Sequence, residues 1–340
     1  MTSIPVGNPR RILLIKPSAI GDVVHALPVL SLLRRRHPDA EISWLVTPAC
    51  AGLLEHHPLL DHVIFFERQR LGQGYRSPGA LHELRRFTRS LREREFDLVI
   101  DLQGLFRSGW LSWQTGAKLR VGLASAREGA PLFYTHRVLT GERERHAIEK
   151  YLDAAEALGL GRGPVEFVFN TTDVHRHAVR EKLASLGEKP IAALFPGANW
   201  LTKRWPVKHF ATLAEKFRGA GFATVVAGAG GDSQLAEGIR PDLNLCGRTT
   251  LPETTALLER SALVVANDTG PMHIAAALGR PLVTLFGPTS EIRTGPYARP
   301  LTVLRAEMPC APCLSRRCSH VSCMKWLDPA EVFIAARNAL

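Results

Sequence analysis

Residues 11–22 read RILLIKPSAIGD, and this stretch sets the pattern that the rest of the chain repeats. Residues 11–15 are predicted to form a strand, because the short, continuous apolar run at residues 12–15 is typical of a strand buried on both faces of a parallel sheet. Apolar residues then recur at helical spacing over residues 23–33, so the sequence predicts a helix directly after the strand, with a kink at Pro28. A buried strand followed at once by a helix is the repeating unit of an α/β fold.

The same alternation occurs in two blocks, separated by a Gly-rich stretch at residues 159–164. The predicted strands are residues 11–15, 42–46, 62–66 and 97–101 in the first block and residues 191–195, 222–227, 262–266 and 282–286 in the second. We predict an α/β fold with two Rossmann-like domains, residues 1–175 and 176–340, whose parallel sheets face a central cleft. Ligands would then bind at the carboxyl ends of the strands.

The chain is basic and contains enough apolar residues for a sizeable core. Its 340 residues include 43 Lys and Arg against 32 Asp and Glu, a net charge of +11, and 45% of the residues are hydrophobic. This composition excludes an intrinsically disordered chain. The positive charge implies an anionic partner such as nucleic acid, a membrane surface or a phosphorylated substrate. We find no apolar run of about 18 residues and no signal peptide, so we expect a cytoplasmic protein.

Many of the basic residues lie on predicted helices, and most are expected to be solvated charges. They include Arg34, Arg35, Arg36, Arg85, Arg86, Arg89, Arg92 and Arg94. No interleaved aromatic residues and no nucleic-acid motif accompany them, so we predict no nucleic-acid partner. A membrane surface or another polyanion fits the charge.

Asp22 stands at the start of the first predicted helix, and Gly21 before it permits a tight turn. One interpretation is that Asp22 only caps the helix by accepting a hydrogen bond from a backbone N–H. The other is that it is a general base, which must be ionised and able to accept a proton. The residues alone leave both interpretations open.

Residues 267–273, NDTGPMH, follow a predicted strand and open a helix. Pro271 suits the first helical position, and the free N–H groups of that turn form a site for an anion. The polar turn between an apolar strand and an Ala-rich helix favours phosphate or sugar binding, although Asp268 or Thr269 could simply cap the helix.

Two further loops of the second block carry weaker signals. Lys203 could neutralise a diphosphate leaving group, but Lys203 and Arg204 could also be solvated surface charges. The Gly-rich turn at residues 228–232 does not match the spacing of the dinucleotide-binding or Walker motifs. This mismatch argues against an NAD enzyme and against a P-loop kinase.

Several of these stretches together resemble glycosyltransferase family 9, the lipopolysaccharide heptosyltransferases. The similar stretches are residues 16–28, 267–273 and 286–289, and residues 101–105 and 126–134 resemble heptosyltransferase I in particular. The resemblance implies a GT-B fold, with the acceptor on the N-terminal domain and the nucleotide sugar on the C-terminal domain. It also implies inverting transfer of L-glycero-D-manno-heptose from ADP-heptose to a Kdo sugar of the lipid A inner core.

The resemblance also implies roles for individual residues. Asp22 is similar to the family's general base, and Lys203 to the residue that faces the donor phosphates. The other implied donor-binding residues are Asn199, Asp232, Asp268, Thr269, Gly270 and His273, and the implied acceptor-binding residues are Ser18, Gln103, Arg107 and Arg127. Asn199 stands where the family often has a small hydroxyl residue, so this position departs from the pattern.

The implied chemistry agrees with these residue types. A base on one face of the donor sugar would deprotonate the acceptor hydroxyl, and positive charge on the other side would stabilise the departing diphosphate. Domain closure would exclude water, and no metal or other cofactor would be required. The implied partners are ADP-heptose and an anionic Kdo-lipid A glycolipid, met at the cytosolic face of the inner membrane by a peripherally bound enzyme.

Four cysteines lie close together near the C-terminus, at Cys310, Cys313, Cys318 and Cys323. Four thiols at this spacing could enclose one structural Zn²⁺ or iron ion, with His320 as a spare ligand. They could also be reduced thiols that pack a short tail, or form adventitious disulfides. Cys50 and Cys246 are expected in the core.

Two other functions stay open at this point. One is a family 9 enzyme with a different nucleotide sugar or a different acceptor, either another glycan or a protein. The other is a non-catalytic polyanion-binding protein on the same scaffold, for which Asp22 would be dispensable.

Overall fold

Parallel strands form two separate sheets in the computed structural model of the chain, which describes residues 4–67, 78–141, 144–297 and 302–340. The chain divides into two compact units, Met1–Asn170 and Thr171–Leu340. Among the described helices, none is long and apolar enough to cross a membrane.

The described part of the first unit contains one sheet of six strands. They are β1 (Arg11–Ile15), β2 (Glu41–Val46), β3 (His62–Phe65), β4 (Leu98–Asp101), β5 (Leu119–Leu123) and β6 (His136–Val138). The sheet has the order β3-β2-β1-β4-β5-β6, and all neighbouring strands are parallel. The strand order reverses between β1 and β4, so a crevice for a ligand is expected at the carboxyl ends of these two strands.

The helices of the first unit cover this sheet. Those in the described residues are α1 (Ile20–Arg36), α2 (Pro48–Ala51), α3 (Pro78–Arg92), α4 (Phe106–Gln114) and α5 (Ala147–Ala157). Helix α1 is almost entirely buried up to Leu33 and includes Pro28. Helix α3 is amphipathic: Leu84, Phe87 and Leu91 pack into the core, while its arginines point outward.

The second unit repeats this arrangement. Its described strands are β7 (Ile191–Phe195), β8 (Ala223–Val226), β9 (Leu243–Asn244), β10 (Leu263–Asn267), β11 (Leu282–Phe286) and β12 (Thr302–Arg305). The sheet is parallel throughout and has the order β12-β11-β10-β7-β8-β9, so the strand order reverses between β7 and β10. The described helices are α6 (Asp173–Leu183), α7 (Val207–Gly219), α8 (Ser233–Ile239), α9 (Leu251–Arg260), α10 (Gly270–Ala277), α11 (Glu291–Thr294), α12 (Ser322–Lys325) and α13 (Pro329–Asn338).

The prediction of two Rossmann-like α/β units is confirmed, and each predicted strand ends within one residue of an observed strand. Strands β5, β6, β9 and β12 were not predicted. Three of them are the outermost strands of their sheets, and β5 is next to one. Outer strands are short and need few apolar residues, so they leave little hydrophobic signal in the sequence.

Side-chain hydrogen bonds hold the last residues of the first unit on its surface. Asn170 Nδ2 donates to the carbonyl oxygens of Gly52, at 2.9 Å, and Glu55, at 2.7 Å. His57 Nε2 lies 2.9 Å from the carbonyl oxygen of Val168. These contacts explain why the first unit extends to Asn170, beyond the Gly-rich stretch at residues 159–164.

Helix α6 belongs to the second unit from its first residue. It packs on α9, where the Arg176 guanidinium pairs with Glu259 at 2.8 Å and Lys182 pairs with Glu253. The predicted boundary after residue 175 falls inside this helix. The assignment of the acceptor to one unit and the donor to the other stays a prediction.

Because the buried His57 has a lowered pKa, we can predict how the stability of the first unit depends on pH. Burial lowers the pKa of His57 below its ordinary value, although its hydrogen bond to Val168 opposes this shift. The unfolded chain therefore binds the proton more readily than the folded chain, so the free energy of unfolding should fall as the pH drops below about 6.5. For one proton, the slope can reach about 1.4 kcal/mol per pH unit.

We expect the variant His57→Gln, which has no ionisable group, to show a shallower loss of stability between neutral and mildly acidic pH. The measurement is the free energy of unfolding in urea over a pH series. The matched control His62→Gln removes an exposed imidazole and should keep the slope of the natural chain. Equal slopes for all three proteins would contradict the prediction.

Candidate active site

In the first unit, the loops after β1 and β4 carry the predicted site residues. The register pairs Ile15 with Asp101, so both strands end at the same edge of the sheet. Ser18 and Asp22 follow β1, and Gln103 follows β4. Their common location is the position at which ligands bind in folds with this strand order.

Asp22 is the third residue of α1, and its carboxylate is held from two sides. One oxygen accepts a hydrogen bond from the Ala19 backbone N–H at 3.0 Å, while the other lies 3.6 Å from Lys16 Nζ. The side chain keeps 37% of its surface exposed. Asp22 therefore does cap the helix, as one interpretation held, and still presents an oriented carboxylate to solvent.

Lys16 is a buried cation beneath this carboxylate. It is 3% exposed, its Nζ donates to the carbonyl oxygen of Leu102 at 3.1 Å, and it lies 5.2 Å from the centre of the Tyr151 ring. Burial lowers the pKa of Lys16, but Asp22, Tyr151 and Asp101 raise it by more, so it stays charged. Neither Lys16 nor Tyr151 was predicted as a site residue. Lys16 opens the stretch of residues 16–28 that resembles the family, whereas Tyr151 lies in none of the stretches singled out from the sequence.

Asp101 organises the loop that contains Gln103. Its Oδ1 accepts from the backbone N–H groups of Gln103, at 2.8 Å, and Gly104, at 3.1 Å, and its Oδ2 accepts from the Tyr134 hydroxyl at 2.7 Å. Burial raises the pKa of Asp101 above its ordinary value, although these hydrogen bonds oppose the shift. The Gln103 side-chain oxygen is buried and has no hydrogen-bond partner among the described residues.

The other predicted acceptor residues lie near this loop. The backbone N–H of Arg127 donates to the carbonyl oxygen of Gly104 at 2.8 Å, so the structure brings the chain at Arg127 beside the loop of Gln103. Arg107 is exposed in the first turn of α4. Ser18 is half-buried, between β1 and α1.

In the second unit, Lys203 and Asp268 form an ion pair at the carboxyl ends of β7 and β10. Lys203 Nζ lies 2.6 Å from Asp268 Oδ2, and the same oxygen accepts from the Thr289 hydroxyl at 2.7 Å. Asp268 is only 7% exposed. The sequence singled out both residues, but it did not predict that they pair or that Thr289 joins them.

Helix α10 begins directly after this ion pair. Thr269 is its N-cap residue, Gly270 is its first residue, and no acidic side chain lies in the first turn. The N-terminal N–H groups of the helix are thus available to an anion. His273 is buried one turn further along the same helix.

Asp232 is enclosed by two glycines. A Cβ atom at Gly197 would overlap its carboxylate, and one at Gly228 would lie 2.7 Å from Asp232 Oδ2. The carboxylate accepts from the Ala229 backbone N–H at 3.0 Å and lies 3.9 Å from the Arg204 guanidinium. Asp232 is therefore a largely buried carboxylate at the ends of β7 and β8, and its donor contact stays a prediction, whereas Asn199 is exposed nearby.

The four cysteines belong to residues 309–323, which we call the cysteine segment. All are free thiols: Cys310 and Cys313 are exposed, Cys318 is half-buried and Cys323 is buried. Burial raises the pKa of Cys323, and the other three thiols raise it further. In the described parts of the chain, no three His, Cys, Asp or Glu side chains are grouped to hold a metal ion, so a structural metal stays a prediction from the spacing.

The cysteine segment contacts the loop of Lys203. The Thr202 hydroxyl donates to the carbonyl oxygen of Ser315 at 2.9 Å. The Trp200 ring has Lys203 Nζ at 4.7 Å and the Arg316 guanidinium at 4.8 Å from its centre. The segment thus helps to fix the position of the lysine.

The family model for glycosyltransferase family 9 (heptosyltransferase) matches residues 84–323, which is more than half of the chain. The chain belongs to glycosyltransferase family 9. This family 9 enzyme is 32% identical over 318 residues to lipopolysaccharide heptosyltransferase 1 of Pseudomonas aeruginosa, covering 91% of this chain and 88% of that protein. It is also 30% identical over 313 residues to lipopolysaccharide heptosyltransferase 2 of Escherichia coli K12, and this alignment covers 87% of this chain and 88% of that protein.

A solved structure agrees with this membership. The E. coli heptosyltransferase WaaC with ADP superposes on the family 9 enzyme with a TM-score of 0.77 and 25% identity, covering 97% of this chain and 100% of that one. The enzyme is therefore a glycosyltransferase with the GT-B fold. The predicted family and fold are confirmed, while the roles of individual residues stay predictions.

Because Gly197 packs against the carboxylate of Asp232, we expect even a methyl group at position 197 to lower the stability of the protein. Gly197→Ala forces the new methyl group against the buried carboxylate, so we expect a loss of about 1–3 kcal/mol in the free energy of unfolding. The control is Gly219→Ala in α7, where a Cβ would meet nothing within 4 Å and stability should be unchanged or slightly higher. Urea unfolding measures both, and equal stabilities would contradict the prediction.

Proposed function

We propose that this enzyme transfers L-glycero-D-manno-heptose from ADP-heptose to a Kdo sugar of the lipopolysaccharide inner core, with inversion at the anomeric carbon. The observation that carries the proposal is the oriented, partly exposed carboxylate of Asp22 above the buried cation of Lys16. The matched family and the names of its heptosyltransferase relatives support the donor and acceptor classes.

In this mechanism, Asp22 is the general base. It takes the proton of the acceptor hydroxyl as the oxygen attacks the anomeric carbon, and the bond from that carbon to the ADP oxygen breaks. The Ala19 N–H and Lys16 hold the carboxylate in place. An oriented base loses less entropy when it reaches the reactive geometry.

The leaving ADP carries the charge that develops as the bond breaks. We propose that Lys203 and the N-terminal N–H groups of α10 stabilise this charge, because both lie at the carboxyl ends of β7 and β10. Asp268, Thr269, Gly270 and His273 would bind the donor around the same point, and Asn199 would contact it from the exposed side. This positive charge supports a reaction that requires no metal or other cofactor.

The acceptor is proposed to bind in the first unit. Arg107 and Arg127 suit the carboxylates and phosphates of an inner-core glycolipid, and Gln103, in the loop after β4, would hydrogen-bond a sugar hydroxyl through its side-chain amide. Ser18 would complete the set. Since this acceptor is carried by a lipid, the enzyme would work at the cytosolic face of the inner membrane as a peripheral protein.

The decisive test is transfer from ADP-heptose to Kdo-lipid A, compared with UDP- and GDP-sugars and with a heptosylated acceptor. We expect product only with ADP-heptose and the Kdo acceptor, and unchanged turnover after treatment with a chelator. Transfer from another nucleotide sugar, or only to the heptosylated acceptor, would overturn this donor or acceptor while keeping the family.

The general base is tested with Asp22→Asn. The amide keeps the shape and an oxygen that can accept from the Ala19 N–H, but it cannot take a proton. Turnover should fall by a factor of about 100 or more, while donor affinity measured by calorimetry stays nearly the same. The control is Asp39→Asn, which removes an exposed carboxylate. Turnover within a few-fold of the natural enzyme would exclude this role for Asp22.

The phosphate contact is tested with Lys203→Ala, which should weaken donor binding by about tenfold to a hundredfold and also lower turnover. This variant leaves the buried Asp268 without its cation and should also lose stability. The double variant Lys203→Ala/Asp268→Asn separates the two effects, because it should recover stability but not donor affinity. Lys208→Ala, at an exposed position, is the control. Donor affinity that survives in Lys203→Ala would contradict the contact.

A further inference from the structure

Helix α4 and the turn that packs on it expose a group of large apolar side chains. Phe106 and Trp113 are each 52% exposed, and Leu132 is 79% exposed. The Phe133 ring lies 5.4 Å from that of Phe106 and 6.3 Å from that of Trp113. The Phe133 ring thus joins the other two rings, and we call these three side chains, together with the exposed neighbouring residue Leu132, the aromatic patch.

The aromatic patch has a rigid base. A Cβ atom at Gly109 in α4 would lie 2.9 Å from the backbone oxygen of Ala130, so the helix and the 3₁₀ turn Ala130–Phe133 are in close contact there. This close backbone contact holds the turn against α4. The side chains of the patch are therefore exposed in the folded unit itself. Contiguous exposed apolar surface is commonly found where proteins bind partners or membranes.

A basic surface adjoins the patch through Gln114, the residue after Trp113. Gln114 lines a cavity of about 570 Å³ together with His82, Arg85, Arg86, Thr88, Arg89 and Arg92 of α3. None of these four arginines forms an ion pair with a described acidic side chain, and all four are exposed. Their charges are therefore available to an anionic partner.

The aromatic patch lies beside residues proposed to bind the acceptor. Phe106 directly precedes Arg107, and the turn that carries Leu132 and Phe133 follows Arg127 closely in the chain. The backbone contact of Arg127 with Gly104 fixes this turn next to the loop of Gln103. A surface that met a bilayer here would bring the acceptor loop close to the headgroups.

We propose that the aromatic patch and the arginines of α3 form a docking surface for an anionic lipid bilayer. Aromatic side chains favour the level of the headgroups, and each arginine near an anionic surface adds attraction that falls off within a Debye length. Apolar contact and charge supply the two signals that stable peripheral binding needs. The inference rests on the proposed function only in its choice of a lipid-borne acceptor.

Flotation of the full chain with vesicles tests the proposal. We expect binding to vesicles of phosphatidylcholine and phosphatidylglycerol in equal parts, weak binding to phosphatidylcholine alone, and release as salt is raised. Absence of binding to the anionic vesicles, or equal binding to both kinds, would overturn the proposal.

Two double variants locate the surface. Arg85→Gln/Arg89→Gln should reduce the partition coefficient by about thirtyfold, and Trp113→Gln/Leu132→Gln by about tenfold or more. The matched control Ile334→Gln/Arg337→Gln, at exposed positions of α13, should bind as the natural chain does. Unchanged binding in both test variants would show that the surface lies elsewhere and overturn the proposal.

Two further readouts separate the possible failures. Loss of a dimer in the patch variant, with vesicle binding kept, would identify the patch as an interface between copies and overturn the lipid assignment. The second readout is turnover with a soluble, delipidated Kdo acceptor. This turnover should be unchanged in all these variants if the surface acts in docking alone. If vesicle binding fails while this turnover persists, only the docking proposal falls; if turnover is absent while docking holds, the proposed function falls instead.

Discussion

The parallel pairing of β1 with β4, and of β7 with β10, decides where both candidate sites lie. Parallel strands end at the same edge of a sheet, and at these two pairs the connections leave in opposite directions. The loops after the paired strands therefore meet, with Ile15 opposite Asp101 in one unit and Phe195 opposite Ala266 in the other. Each polar residue discussed above as a base or donor contact depends on this register.

Each unit places one lysine at this edge and pairs it with an aspartate. Lys16 pairs with Asp22 at 3.6 Å, and Lys203 pairs with Asp268 at 2.6 Å. A buried charge left without a partner costs several kcal/mol, so the loss of Asp22 would leave Lys16 unpaired, and the loss of Lys203 would leave Asp268 unpaired. The two pairs differ in exposure: Asp22 is the open member of its pair, whereas Asp268 is nearly enclosed.

The central strands and the loops after them could be predicted from the sequence, because residues 12–15 and 262–266 are continuous apolar runs followed by polar turns. The partners that complete each site could not. Tyr151 and Thr289 come from distant parts of the chain, and no local pattern connects them to Lys16 or Asp268. The exact bounds of the two domains stay a prediction, and the hydrogen bonds from Asn170 to the loop of Gly52 and Glu55 are tertiary contacts that composition does not reveal.

Packing around Gly287 connects the cysteine segment to the loop that contains Thr289. A side chain at Gly287 would meet Cys323 Sγ at 3.0 Å, and Gly287 lies two residues before Thr289, which holds Asp268. An alkylating reagent that reached this sulfur would push the loop of Gly287 away from the Lys203–Asp268 ion pair. Inactivation by such a reagent would thus report steric disruption, and it would be no evidence for a nucleophilic thiol in the reaction.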